Sequence, residues 1–170
     1  MSSLDRFVTG TRIAYLSMEI ALDPAIPTYS GGLGVLAGDT ARSCADLELP
    51  MVFVTLASRE GYLRQEIGPD GNQIDHPDPW DPAAWTTMLD AAVAIRIEGR
   101  SVLIRAWLYL LTCPVGGCVP VVLLDTAIEV NAPEDRAITD RLYGERRKAA
   151  PEAGSGARHR RRADAARPRL

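Results

Sequence analysis

The apolar positions of this chain fall into short blocks whose period changes along the sequence. Residues 12–18 (RIAYLSM) form a β-leaning apolar run and predict a buried strand. Turn formers follow from Asp23 to Gly32. From Leu33 to about Leu47, the residues Leu33, Leu36, Ala37, Ala41, Cys44 and Leu47 recur at helical spacing and predict one buried face. Pro50 stops that helix, and residues 51–56 (MVFVTL) predict a second core strand. Strand, loop, helix and strand make a βαβ unit, which builds parallel sheets with helices on both faces.

The middle of the chain changes character. Residues 62–67 predict a short exposed strand, and Pro69-Asp70-Gly71-Asn72 a turn. Residues 76–82 hold three prolines in His76-Pro77-Asp78-Pro79-Trp80-Asp81-Pro82 and predict irregular chain. Two alternating runs, 91–97 and 101–111, flank Glu98-Gly99-Arg100 and predict a hairpin. Residues 119–125 (VPVVLLD) predict a third core strand. Asn131, Pro133, Glu134 and Asp135 carry the marks of a helix start, with Asn131 as the cap and the helix reaching about Tyr143.

A length of 170 residues fits one ordinary domain with its own core. No apolar run approaches a bilayer span, and the opening residues lack the features of a signal peptide, so no membrane partner and a cytoplasmic address are expected. Three cysteines, an odd count, argue against a disulfide framework, and Cys113 and Cys118 lack the partners of a zinc site. The net charge of −3 hides a division: residues 1–144 carry 19 acidic and 10 basic side chains, residues 145–170 carry 3 and 9. The second part has almost no large apolar residue and is expected to be a disordered basic tail.

The strongest chemical signal is Tyr29-Ser30-Gly31-Gly32-Leu33-Gly34. Glycines between a strand and a helix start let a ligand approach the backbone, and the free amides there attract anions such as phosphate. Neither the dinucleotide pattern GxGxxG nor the loop GxxxxGK[ST] is met. A triad through Ser30 and His76 lacks a nucleophile elbow. Trp80, Trp85 and Trp107 read as packing residues rather than a sugar platform.

The order Ala14-Tyr15-Leu16-Ser17-Met18-Glu19-Ile20, then Pro27 to Asp39, then Ala45-Asp46-Leu47 and Leu49-Pro50-Met51-Val52, resembles the opening of the α-glucan phosphorylases, in particular their shorter bacterial and archaeal branch. Gly61-Tyr62-Leu63-Arg64-Gln65, Asp78-Pro79-Trp80-Asp81, Leu124-Asp125-Thr126 and Pro133-Glu134-Asp135-Arg136 continue the likeness, over roughly residues 10–144. The resemblance implies an α/β fold: the incomplete, Rossmann-like N-terminal lobe of a two-lobed GT-B glycosyltransferase, with the β-hairpin as an attachment. It implies phosphorolysis of an α-1,4-glucan by inorganic phosphate to glucose 1-phosphate, with pyridoxal phosphate on a lysine of the second lobe. It places Gly31, Gly32, Leu33 and Gly34 at the cleft between lobes, with Glu19 facing the same cleft, and Tyr29 and Asp39 as further candidates. Leu16, Glu48, Phe53, Ser58 and Leu63 depart from the family's usual residues.

The only lysine is Lys148, in the basic tail, so no cofactor lysine is expected in this chain. The tail departs from the family at a helix reading approximately GIGGVRMLRALG. Suitable codons for residues 158–170, read one base over, spell that helix. A frameshift after Gly144 is therefore the expected origin of the basic residues, not a nucleic-acid arm. The chain is expected to be an N-terminal phosphorylase fragment, inactive alone. Alternatives are a glycogen or starch synthase lobe, which usually carries lysine where Tyr29 stands, or a non-catalytic glucan- or phosphate-binding module.

Overall fold

The computed structural model describes residues 10–143. In chain order its elements are β1 (Ile13–Leu16), α1 (Gly32–Asp46), β2 (Met51–Leu56), β3 (Leu63–Ile67), β4 (Gln73–Pro77), β5 (Thr87–Ile97), β6 (Arg100–Thr112), β7 (Cys118–Asp125) and the single turn α2 (Pro133–Arg136). A five-stranded sheet has the order β1-β2-β7-β6-β5, and β3 and β4 make a separate antiparallel ribbon. β1, β2 and β7 are parallel, in the registers Tyr15↔Phe53 and Phe53↔Val121. This is the α/β lobe with a parallel core that the sequence predicts.

The hairpin is part of the same sheet. Glu98 and Gly99 take φ of 49° and 83°, the left-handed pair of a two-residue turn whose twist matches the strands. β6 then pairs with β7 from Thr112↔Cys118 to Arg105↔Asp125, so the hairpin extends the parallel core instead of hanging from it. Fully buried Phe53, Val119, Val121 and Leu123 fill the layer between sheet and α1, with Ile20 and Ile26 from the β1–α1 loop. Each such side chain contributes about 1.5–3 kcal/mol.

Four expectations are corrected. Among the described residues β1 is an edge strand, not a buried one: Ile13 and Leu16 are 53% and 74% exposed, because β2 is its only strand neighbour there. α1 buries its small residues, Gly34, Ala37, Gly38, Ala41, Cys44 and Ala45, while Leu33, Leu36 and Leu47 face outward. A Cβ on Gly38 would lie 2.2 Å from the Ala21 carbonyl oxygen, so the close approach of helix to loop selects the small face. The segment after Asn131 is not a continuous helix. Asn131 does not cap it; its amide bonds Leu103 N and O and Thr126 O, tying β6 to the chain after β7. β4 includes His76 and Pro77, since an outer ribbon strand tolerates a terminal proline.

None of the three cysteines is in a disulfide, and Cys113 and Cys118 flank the β6–β7 turn. Among the described residues no helix is long and apolar enough to cross a membrane. The basic tail and its proposed frameshift lie outside the described residues.

Candidate functional site

The glycine loop follows β1 and opens α1, where the sequence places it. Gly31 is the N-cap, and no side chain caps the helix. The first amides of a helix have no partner within it and carry the positive end of its dipole. No residue from 31 to 34 takes positive φ, so glycine is not required there by backbone strain.

Space divides the three glycines. A Cβ on Gly34 would lie 2.3 Å from Tyr29 Cβ and 3.2 Å from Glu19 Oε2, so Gly34 is required by the protein's own packing. A Cβ on Gly31 or Gly32 would meet nothing within 4 Å. These two are exposed and keep the surface above the helix start clear, while Leu33 stands beside them at 69% exposure.

Glu19 lies beneath the loop. It is 3% exposed, with Oε2 accepting from Ser30 N at 2.8 Å and Oε1 from the Tyr143 hydroxyl at 3.1 Å. Glu19 is therefore covered by the loop, and its carboxylate holds the loop segment that leads into the glycines. The bond to Glu19, with burial, pushes the Tyr143 hydroxyl pKa up. Tyr62 approaches the same carboxylate; burial first, then the charge of Glu19, raises its pKa, and its buried hydroxyl has no hydrogen-bond partner. Tyr29 packs on Gly34 and lines the hollow beside the loop. Asp39 lies elsewhere, on the outer surface of α1, paired with Arg42 at 3.6 Å.

A second polar cluster sits where β7 ends. Asp125, fully buried, pairs with Arg59 at 2.6 Å and Arg105 at 3.1 Å, and accepts from Trp107 Nε1 and Ala127 N at 2.8 Å each. Burial works against its charge, yet the bonds from Arg59, Trp107 and Ala127 outweigh it and hold the carboxyl below the usual range. Both guanidinium groups lie over the Trp107 ring, 6.0 and 5.5 Å from its centroid. Each of the four side chains is bonded or ion-paired within the cluster, although Arg59 Nε and Arg105 Nε are buried without a hydrogen-bond partner, and the arrangement fits a clamp between β6, β7 and the β2–β3 loop.

The structure brings Glu19, Tyr29 and residues 31–34 together and leaves Asp39 apart. Sequence reading did not single out Tyr62 or Tyr143 for the site. Their only signal was membership in Gly61-Tyr62-Leu63 and Leu142-Tyr143-Gly144, since nothing local links Tyr143 to a residue 124 positions earlier.

No protein-family model matches the chain. It is 37% identical over 138 residues to the maltodextrin phosphorylase of Thermococcus litoralis, covering 77% of this chain and 16% of that protein. To the glycogen phosphorylase of Mycobacterium tuberculosis it is 38% identical over 140 residues, covering 79% and 16%. To that of Aquifex aeolicus it is 32% identical over 139 residues, covering 77% and 19%. Among solved structures, the catalytic domain of starch synthase IV from Arabidopsis thaliana aligns with a TM-score of 0.45 and 16% identity, over 80% of this chain and 22% of that one. The chain thus spans about a sixth of the length of the curated relatives it matches, and over most of its own length it is a homologue of the glycogen and maltodextrin phosphorylases.

Proposed function

We propose that this chain supplies one wall of a glucan phosphorolysis site, in which the amides of residues 31–33 receive inorganic phosphate or the phosphate of glucose 1-phosphate. The open space above Gly31 and Gly32 is the observation that carries this reading. With no side chain over the helix start, an anion reaches amides that are unpaired and dipole-biased. Glu19 acts from below, fixing Ser30 N so that the next amides keep their direction. Its negative charge is held away from the anion by the loop itself, being 3% exposed.

The resemblance implies pyridoxal phosphate for the whole-length enzymes, where its phosphate group would assist at the reacting centre. The described residues do not fit that cofactor. None of them is lysine, and a Schiff base needs a desolvated amine with a lowered pKa. Phosphorolysis also needs water excluded from around the reacting groups, and residues 31–33 are exposed. The reaction therefore belongs to the longer phosphorylase, to which this part contributes phosphate contacts and shape.

The purified chain, incubated with maltodextrin and phosphate, is expected to release no glucose 1-phosphate, with or without added pyridoxal phosphate. Release that disappears in Gly32→Val would show a complete site in this chain and overturn the proposal.

A further inference from the structure

Glu19 is 3% exposed, and among the described residues no cation pairs with it. A buried carboxylate without a counter-cation keeps its charge through hydrogen bonds from neutral donors. Ser30 N serves Oε2 at 2.8 Å from the adjoining loop, and the Tyr143 hydroxyl serves Oε1 at 3.1 Å from 124 positions along the chain. The Tyr62 hydroxyl lies near enough for the Glu19 charge to raise its pKa, yet it bonds nothing. Among the described residues Tyr143 is therefore the one side-chain donor that Glu19 has.

Tyr143 is brought to Glu19 by an anchored segment, although its own ring is 61% exposed. Leu142 before it is buried at 8%, and Glu60 N bonds Asp140 O at 2.8 Å beside the parallel bridge of Glu60 and Arg141. Thr139 Oγ1 lies 3.1 Å from both Thr126 N and Thr126 Oγ1. On the other side, main-chain bonds from Ile20 N to Thr28 O at 3.1 Å and from Ala21 N to Gly34 O at 2.9 Å fix the loop at residues 28 and 34. Between those points Ser30 N bonds the Glu19 carboxylate, so the aim of the next amides depends on how that carboxylate is held. Its terminal torsion is soft: a carboxylate gripped at both oxygens keeps one orientation, and one gripped at a single oxygen turns.

We propose that Tyr143 is a positioning residue for the anion site: its hydroxyl locks the Glu19 carboxylate against Ser30 N and through it sets the aim of the amides of residues 31–33. The role rests on the anion reading of the loop given above. Loss of the hydroxyl acts twice in the same direction. The loop before the glycines gains freedom, and the Glu19 charge, short of a donor, repels an incoming anion more strongly.

The test uses the full chain labelled with ¹⁵N and with ¹³C at tyrosine Cζ. Tyr143→Phe, at an exposed position, is expected to shift the Ser30 amide before any phosphate is added and to weaken inorganic phosphate binding about fivefold. In a Glu19→Ala background the same change is expected to have no further effect, since both residues act through one carboxylate. The parent's Tyr143 ring is expected to titrate above the ordinary tyrosine range, held neutral by the bond to Glu19 and then by burial, and to fall back in Glu19→Ala. Glu19 and Tyr62 are the titratable groups facing that hydroxyl, with Ser30 opposing the rise, and Arg141 in the same hollow is paired with Glu60 at 3.4 Å. A ring that only packs would show neither the titration change nor the coupling. An unmoved Ser30 amide with parental phosphate affinity in Tyr143→Phe, or additive losses in the double variant, would overturn the role. Should Glu19→Ala fail to fold, Tyr143→Phe decides alone. Absence of phosphate binding in the parent, with the Ser30 shift and the Tyr143 titration as described, would instead overturn the anion reading of the loop.

Discussion

Gly32→Val is expected to abolish phosphate binding while leaving the unfolding free energy within about 0.5 kcal/mol of the parent, whereas Gly34→Val unfolds much of the lobe. The contrast follows from what each Cβ would meet. At position 32 it enters open space, and a valine there shields the amides without touching the protein. Valine also loses less backbone freedom than glycine on joining a helix, so stability does not suffer. At position 34 the new Cβ would sit 2.3 Å from Tyr29 Cβ, deep inside van der Waals contact, and crowd the Glu19 carboxylate at 3.2 Å. Either the helix lifts or Tyr29 and Glu19 move, which costs roughly 3 kcal/mol or more. Urea unfolding followed by circular dichroism, with phosphate titration on each variant, separates the two effects. Equal losses of stability in both variants would show that the four-residue loop is a packing device throughout.

Asp125→Ala carries the second large effect, a loss of about 3 kcal/mol of stability at neutral pH. The carboxylate is fully buried and serves Arg59, Arg105, Trp107 and Ala127 at once. Removing it orphans the Trp107 and Ala127 donors and leaves two guanidinium groups facing each other. Those groups keep partial access to solvent, at 22% and 27% exposure, which limits the cost to the lower end for broken buried pairs. The sign with pH is fixed by the depressed carboxyl. Its folded pKa lies below the unfolded value of about 3.9, so its stabilisation is complete above that value and is lost as pH falls through the folded one. The parent and Asp125→Ala should therefore differ fully at pH 7 and converge in strong acid. A difference that persists unchanged at about pH 2 would assign the effect to packing alone.

Local chemistry made much of the fold legible. The βαβ order, the Glu98-Gly99 turn and the third core strand follow from periodicity and turn residues, because each depends on a few neighbouring positions. What periodicity missed depended on contacts between distant parts. Leucines 33, 36 and 47 are spaced for a buried face, yet close approach to residues 21 and 29 turned the small residues inward. Asn131 has the chemistry of a cap, but three bonds to Leu103 and Thr126 claimed its side chain first. The loop's place between β1 and α1 was legible from its glycines, while the division of labour within it was not. Only geometry distinguishes Gly34, which the fold needs, from Gly31 and Gly32, which it does not. Glu19 likewise looked like a cleft residue from its place after β1, and its partners make it a support beneath the loop.

The central claim is that the amides at the start of α1 form an anion site. The most direct measurement is the amide spectrum of the ¹⁵N-labelled chain during titration with inorganic phosphate at low ionic strength. Saturable shifts of Gly31, Gly32 and Leu33, reversed by sulfate competition and absent in Gly32→Val, are the expected result. Phosphate-dependent shifts centred on Arg59 and Arg105, with residues 31–33 unmoved, would contradict it.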